Sequence, residues 1–258
     1  VLSIKERYER LIENNLIFAS SISFSKTSKR DIQDNNFYIF KTKIESAGNI
    51  LSLIANASKE IINQNGANTI FDVEYSQYIK TEYEYIKHWD LRRKKVFAIR
   101  SFFGIAIPYG NSNSIPFSRS YFAGGTNDIR AWQPYSLGPG SSGGLFDFNE
   151  ANMKISFNAE FRFNIFGKLN GALFADTGNI WNVLDNVEDE AYKFNGIKSL
   201  ETLALGTGFG FRYDFGLFVV RGDLGFKTYN PAKDMTQRWF KELNLSESVL
   251  NIGINYPF

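Results

Sequence analysis

The sequence predicts an all-β chain, part of a transmembrane antiparallel β-barrel. Three observations predict it. Strand-length segments alternate apolar and polar residues, aromatic residues are abundant, and connections alternate between short and long. The alternation is cleanest at 153–165. There Met153, Ile155, Phe157, Ala159, Phe161, Phe163 and Ile165 face one way, and Lys154, Ser156, Asn158, Glu160, Arg162 and Asn164 the other. Successive side chains of a strand point to opposite faces. A run of this length is long for a globular strand and right for a tilted membrane-spanning one.

Composition agrees. The 258 residues are 43% hydrophobic and include 25 Phe, 13 Tyr and 4 Trp, which aromatic girdles at two bilayer interfaces would use. Mean hydropathy is slightly negative, as expected when half of each strand faces a polar interior. No apolar run reaches about 18 residues, so no transmembrane helix is expected. Cysteine is absent, which excludes a disulfide framework or thiolate metal site. The single histidine, His88, argues against a His-based metal site or triad and reads as an interface or interior residue. The net charge of +2, without a dense basic tract, gives no reason to expect nucleic acid. The start, Val1-Leu2-Ser3-Ile4-Lys5, resembles neither an initiator methionine nor a signal peptide, so a longer parent is expected.

In chain order, Ser3–Asn14 reads as a short amphipathic helix. About nine strands follow, at 15–26, 36–46, 75–88, 95–106, 152–165, 168–181, 200–213, 217–229 and 247–258, with a second helix expected over Leu51–Asn63. Short connections fall at Lys26–Asn35, Trp89–Lys94, Phe166–Lys168 and Asp214–Gly216. Long ones fall at 47–74, 107–151, 182–199 and 230–246. Sorting of this kind is the barrel pattern, with the short side periplasmic. Strand 200–213 sets Leu203, Leu205, Phe209 and Phe211 against Ala204, Gly206, Gly208, Gly210 and Arg212, which leaves room inside. These glycines lie within a strand and lack dinucleotide-loop spacing, so they are expected to relieve crowding. The last strand alternates Leu250, Ile252, Ile254, Tyr256 and Phe258 against Asn251, Gly253, Asn255 and Pro257, which predicts lipid-facing aromatics at its end. Nine strands cannot close a barrel, because single-chain barrels have even counts and open edges do not persist in lipid. Earlier strands are therefore expected to be missing from this chain.

Within the loop at 107–151, Arg130 stands in a segment otherwise short of charge, and Gly124-Gly125 and Gly138-Pro139-Gly140 punctuate turns. Alternation puts Glu160 and Asp176 on the interior face of adjacent strands. Two readings stay open on alternation alone: Arg130 pairs with both acids, or Arg130 is solvated and the acids line a water-filled pore. Glu160, Asp176 and Asp223 also raise paired-acid catalysis, but no nucleophile–base constellation accompanies them, so no enzyme is expected.

The segment IPFSRSYFAGGTNDIRAWQPYSLGPGSSGG at Ile115–Gly144 resembles the long loop of the BamA/TamA superfamily of outer-membrane assembly proteins. Its motif of aliphatic residue, Arg, Gly and aromatic residue is matched by Ile129, Arg130, Ala131 and Trp132. Glu160 in FNAEFRF, the stretch ALFADTGNIW at Ala172–Trp181, the glycine-rich strand after it and the aromatic terminus match as well. The wording FAGGTNDIRAWQPYSLGPG looks most like the Bacteroidota, TamL-like members. The resemblance implies that 1–258 is the C-terminal part of a sixteen-stranded barrel, with 107–151 folded into its lumen. It also implies earlier strands and periplasmic POTRA domains outside this chain. It implies that Arg130 is anchored by Glu160 and Asp176, and that Leu250, Ile252, Gly253, Ile254, Tyr256 and Phe258 form an assembly signal and a lateral seam. Gly253, a weak strand former, suits an opening seam or merely a bulky neighbour. The family's motif glycine is Ala131 here, so an ordinary backbone conformation is expected at that position.

The function so implied is assembly or translocation of client proteins in the bacterial outer membrane, without a cofactor. Its partners would be the lipid bilayer, client outer-membrane or surface proteins, and periplasmic or inner-membrane factors reached through POTRA domains. The alternatives are a two-partner-secretion pore, which would share the motif, and a passive porin, which would lack it.

Overall fold

The computed structural model describes residues 12, 14–31, 34–58, 66–143, 149–184, 187 and 189–258. All but residues 12 and 14 of the helix expected at Ser3–Asn14, and the end of the one expected at Leu51–Asn63, lie outside the described residues. Nine long strands carry the fold: β1 (Ala19–Thr27), β2 (Tyr38–Ala47), β3 (Tyr78–Asp90), β4 (Lys95–Pro108), β5 (Met153–Phe166), β6 (Leu169–Trp181), β7 (Ala204–Asp214), β8 (Val219–Tyr229) and β9 (Val249–Ile254). Among the described residues they form one antiparallel sheet in sequence order, and a short strand at Trp239–Glu242 joins it.

The sheet is inverted relative to a soluble protein. On β5 the polar face is buried, with Glu160 at 0% exposure, while Phe157 on the apolar face is 40% exposed. The same holds across the sheet, where Tyr83 and Tyr85 on β3, Leu173 on β6, and Phe209 and Phe211 on β7 are exposed. Exposed aromatics pair across strands, as Tyr83 does with Phe103 and Trp89 with Phe97. A contiguous apolar face of this kind calls for a non-aqueous neighbour. No helix among the described residues is long and apolar enough to cross a membrane.

The connections after β1, β3, β5 and β7 are short, and those after β2, β4, β6 and β8 are long. In the turn after β1, Asp34 accepts the backbone N–H groups of Asn36 and Arg30, which hold its carboxyl below the usual range. The long connection after β2 contains α1 (Asn49–Ser58), which packs Leu51 and Ala55 on Ile70 and Tyr75.

Four expectations are corrected. The first strand is split: Asn15–Leu16 pairs in parallel with Val73–Tyr75 in a small separate sheet, and only Ala19–Thr27 enters the large one. The strand expected from 200 begins at Ala204, because Gly196–Thr202 forms a 3-10 helix. The loop expected at 230–246 contains Trp239–Glu242, which pairs with β8 at Lys227 and Tyr229, while β9 pairs with Val220–Gly225. Both segments run antiparallel to β8 along one edge, so β9 continues that shorter strand after an insertion at 243–248. Finally, the terminal alternation stops early. Leu250, Ile252 and Ile254 point outward at 67%, 72% and 70% exposure, but β9 ends at Ile254 and Asn255 adopts a φ of 66°. The turn carries Tyr256 and Phe258 to the other face, where their rings lie 4.3 Å and 5.7 Å from the Arg162 guanidinium. They are not lipid-facing.

Candidate functional site: an inserted loop on a buried charge cluster

The connection between β4 and β5 returns over the inner face of the sheet. Gly124 and Gly125 have φ of 97° and 106°, conformations that side chains rarely tolerate. Gly125 N–H donates to the Trp132 carbonyl at 2.8 Å and Tyr135 N–H to that of Ala123 at 3.2 Å, so the chain doubles back on itself. At the bend Trp132 N–H donates to the Ile129 carbonyl at 3.1 Å, a four-residue turn. That turn separates the side chains. Ile129, Ala131 and Trp132 enter an apolar cluster with Tyr121, Leu137 and Ile180, while Arg130 points at the strands. Ala131 has no positive φ, in keeping with the residue that stands there. Farther along, Gly140 N–H donates to the Ile180 carbonyl at 2.8 Å, and Asn179 Nδ2 donates to the Gly140 carbonyl at 2.7 Å. Trp132 and Ile129 are buried, so this segment is part of the core.

Glycines on the inner face of the strands admit the loop. A Cβ on Gly206 would lie 2.6 Å from the Cβ of Ala131, and one on Gly225 would lie 2.5 Å from the Arg130 carbonyl oxygen. The room anticipated on β7 is filled by the turn.

Arg130 is 1% exposed and meets three carboxylates. Its Nε donates to Asp176 Oδ2 at 2.8 Å and its Nη2 to Asp176 Oδ1 at 2.9 Å, a fork-to-fork pair. Its own backbone N–H reaches Asp176 Oδ2 at 3.1 Å. Its Nη1 donates to Glu160 Oε2 at 2.5 Å and lies 3.5 Å from Asp223 Oδ2. The guanidinium lies over the Phe174 ring at 3.6 Å from its centroid, a cation–π contact.

Further arginines balance the acids. Arg162 Nε donates to Glu160 Oε1 at 2.7 Å, Arg212 Nη2 to Glu160 Oε2 at 3.1 Å, and Arg221 Nη1 to Asp223 Oδ2 at 2.6 Å. Arg212 Nη1 also stands 2.6 Å from Asp223 Oδ1, an ion contact outside hydrogen-bond angles. Asn158 Nδ2 donates to Asp176 Oδ1 at 2.9 Å and to the Asp128 carbonyl at 2.6 Å. Buried charges persist only when paired and hydrogen-bonded, and every acid here meets at least one arginine. His88 joins none of these ion pairs; it is buried beside the cluster, near Arg162 and the Phe258 backbone, with its ring 4.3 Å from that of Phe37.

Of the residues singled out from sequence, Arg130, Glu160 and Asp176 are brought together, and Ile129, Ala131 and Trp132 are buried beside them. Leu250, Ile252 and Ile254 lie on the outer face of β9, away from this cluster. Sequence reasoning missed Phe174, Arg162, Arg212 and Arg221 as partners. Phe174 was in principle readable, since it shares a strand face with Asp176 two residues on.

A family model for the Omp85 superfamily domain matches residues 13–245. The chain belongs to the Omp85 superfamily. This bears out the sequence resemblance at the level of the superfamily. Among solved structures, the chain is similar to the crystal structure of BamA from Haemophilus ducreyi lacking POTRA domains 1-3. The identity is 12% and the TM-score 0.46, over 92% of this chain and 53% of that one. The match spans about half the length of that chain. No curated protein matches it.

Proposed function

We propose that the protein is an outer-membrane assembly or translocation factor that inserts or exports client proteins through a lateral barrel seam. In this reading residues 1–258 are the C-terminal part of a sixteen-stranded barrel of the Bacteroidota, TamL-like kind. Residues 107–151 are its re-entrant lumen loop, and earlier strands and POTRA domains belong to the parent. The exposed apolar face of the sheet meets the bilayer of a bacterial outer membrane. β9 is the seam strand, pairing weakly with the first strand of the parent barrel, and a client strand pairs with the edge exposed there, by β-augmentation. Its partners are the bilayer, clients, and periplasmic or inner-membrane factors met through POTRA domains. The protein performs no catalysis and needs no cofactor; folding of the client into lipid supplies the driving force.

The observation that carries the reading is the Arg130 turn, held by Asp176 and Glu160 in a chain of the Omp85 superfamily. A passive porin would lack the Arg130 motif. A two-partner-secretion pore could share it, so the test must separate the two. The protein is depleted in its host and the outer-membrane proteome quantified by mass spectrometry. Loss of several unrelated barrel or surface proteins is expected. Loss of a single secreted substrate, with other outer-membrane proteins intact, would overturn the proposal in favour of a dedicated secretion pore.

A further inference from the structure

We propose that Arg221 and Asn251 latch the terminal strand β9 to the inserted loop, so that the seating of the loop sets how firmly β9, and with it the edge it offers to the seam, is held in place on β8. The inference rests on the reading of β9 as the seam.

β9 pairs with β8 through one short ladder, Val220–Gly225 against Val249–Ile254. Its inner face carries Asn251, which meets the loop, and Gly253, which abuts Arg221 of β8. Asn251 Nδ2 donates to the Arg130 carbonyl at 2.8 Å, across 121 residues. That carbonyl belongs to the residue whose side chain grips Asp176, so displacing the turn breaks both contacts.

The second tie runs through Arg221. From β8 its Nη2 donates to the Thr126 carbonyl at 3.0 Å and to Asn127 Oδ1 at 2.5 Å, both in the loop. Its Nε donates to the Asn255 carbonyl at 3.0 Å, just beyond β9, and its Nη1 is fixed by Asp223. One planar guanidinium therefore joins loop, β8 and the terminal turn, a geometry that lysine cannot reproduce. Gly253 makes this possible. A Cβ there would stand 2.8 Å from Nε and 2.9 Å from Nη2 of Arg221. The absence of a side chain on β9 thus strengthens its attachment here, the opposite of what a weak strand former suggests.

The test uses the intact protein in lipid nanodiscs and follows backbone amide exchange by mass spectrometry. Asn251→Ala, Arg221→Lys and Gly253→Ala are each compared with the parent. Exchange over Val249–Ile254 is expected to rise about tenfold in each, with β5 unchanged. Unchanged exchange over β9 in Asn251→Ala and Gly253→Ala would overturn the latch. So would an equal rise in β5, because the contacts would then support the whole sheet. If Arg221→Lys does not fold, the other two variants decide. Client assembly measured on the same variants separates the two ideas. Faster β9 exchange with assembly unaltered would keep the latch and remove β9 as the working edge. Unchanged exchange would remove the latch whatever assembly does.

Discussion

The guanidinium of Arg130 and the carboxylate of Asp176 form a two-pronged pair at 2.8 Å and 2.9 Å, and the Arg130 backbone N–H adds a third contact to the same carboxylate. The pair joins the tip of a loop to the middle of β6, with neither partner exposed to solvent. Such a pair is not a large source of net stability, because both charges gave up hydration to form it. Removing one partner is a different matter. Arg130→Ala would leave Asp176 and Glu160 under-compensated in a buried site, at a cost of about 3–5 kcal/mol. Arg130→Lys should cost nearly as much, since an ammonium cannot span both oxygens while reaching Glu160. Thermal unfolding in detergent, followed by Trp fluorescence, measures this. A double-mutant cycle with Asp176→Asn should show coupling of about 2 kcal/mol or more. Additive losses would mean that the loop is held by its apolar residues alone.

The pair of Ala131 and Gly206 offers an independent check on the seat of the loop. A methyl on Gly206 would meet the methyl of Ala131 at 2.6 Å, so Gly206→Ala overpacks the turn and should cost about 1–3 kcal/mol. Ala131→Gly vacates that space. The double variant should recover most of the loss, and a midpoint no better than that of Gly206→Ala would show that the loop sits elsewhere.

Much of this arrangement was legible because strand alternation is local. Each of the long strands carries its own two-residue period, so Glu160, Asp176 and Arg212 could be assigned to the inner face without knowledge of any partner. The loop motif then named Arg130 as the group that would meet them. What could not be read was the rest of the cluster. Asp223 lies 93 residues from Arg130 in sequence, and Arg221 lies 94 and 95 residues from its loop partners. Nothing in a local pattern encodes such pairings. The terminal turn left a faint signal. Asn tolerates the left-handed region and Pro257 restricts the residue before it, so Asn255-Tyr256-Pro257 could have been read as a turn rather than as strand. The apolar alternation at Tyr256 and Phe258 masked it.

Arg162 offers a test of that turn. It is fixed on one side by Glu160 at 2.7 Å, and its guanidinium lies 4.3 Å from the Tyr256 ring. Its Nη2 also donates to the Phe258 carbonyl at 3.1 Å. Arg162→Gln should release Tyr256 from the inner face. A fluorinated tyrosine at 256 would report this as a narrower resonance that shifts toward the value in water. An unchanged resonance would mean that the terminal turn is held by its own backbone, without help from the cation–π contact.

The inverted faces of the sheet allow the membrane reading to be separated from a soluble one by a single substitution. Leu173 lies near the middle of β6, opposite Phe209 and Phe161 in register, on the outer face at 54% exposure. In a soluble protein, replacing so exposed a leucine with arginine would be neutral within about 0.5 kcal/mol. Facing hydrocarbon near the bilayer midplane, the same change should cost about 2–4 kcal/mol, because the charge must snorkel or draw water into the membrane. Placing arginine at Leu217, in the short turn after β7, should cost about 1 kcal/mol or less, since that end of the strand reaches the interface. Folding into lipid vesicles, titrated with denaturant, gives both values. A graded penalty would fix Leu173 in the hydrocarbon and the turn at its edge. Equal, negligible costs at the two positions would mean that the apolar face meets water or another protein, and the membrane-spanning assignment would fall.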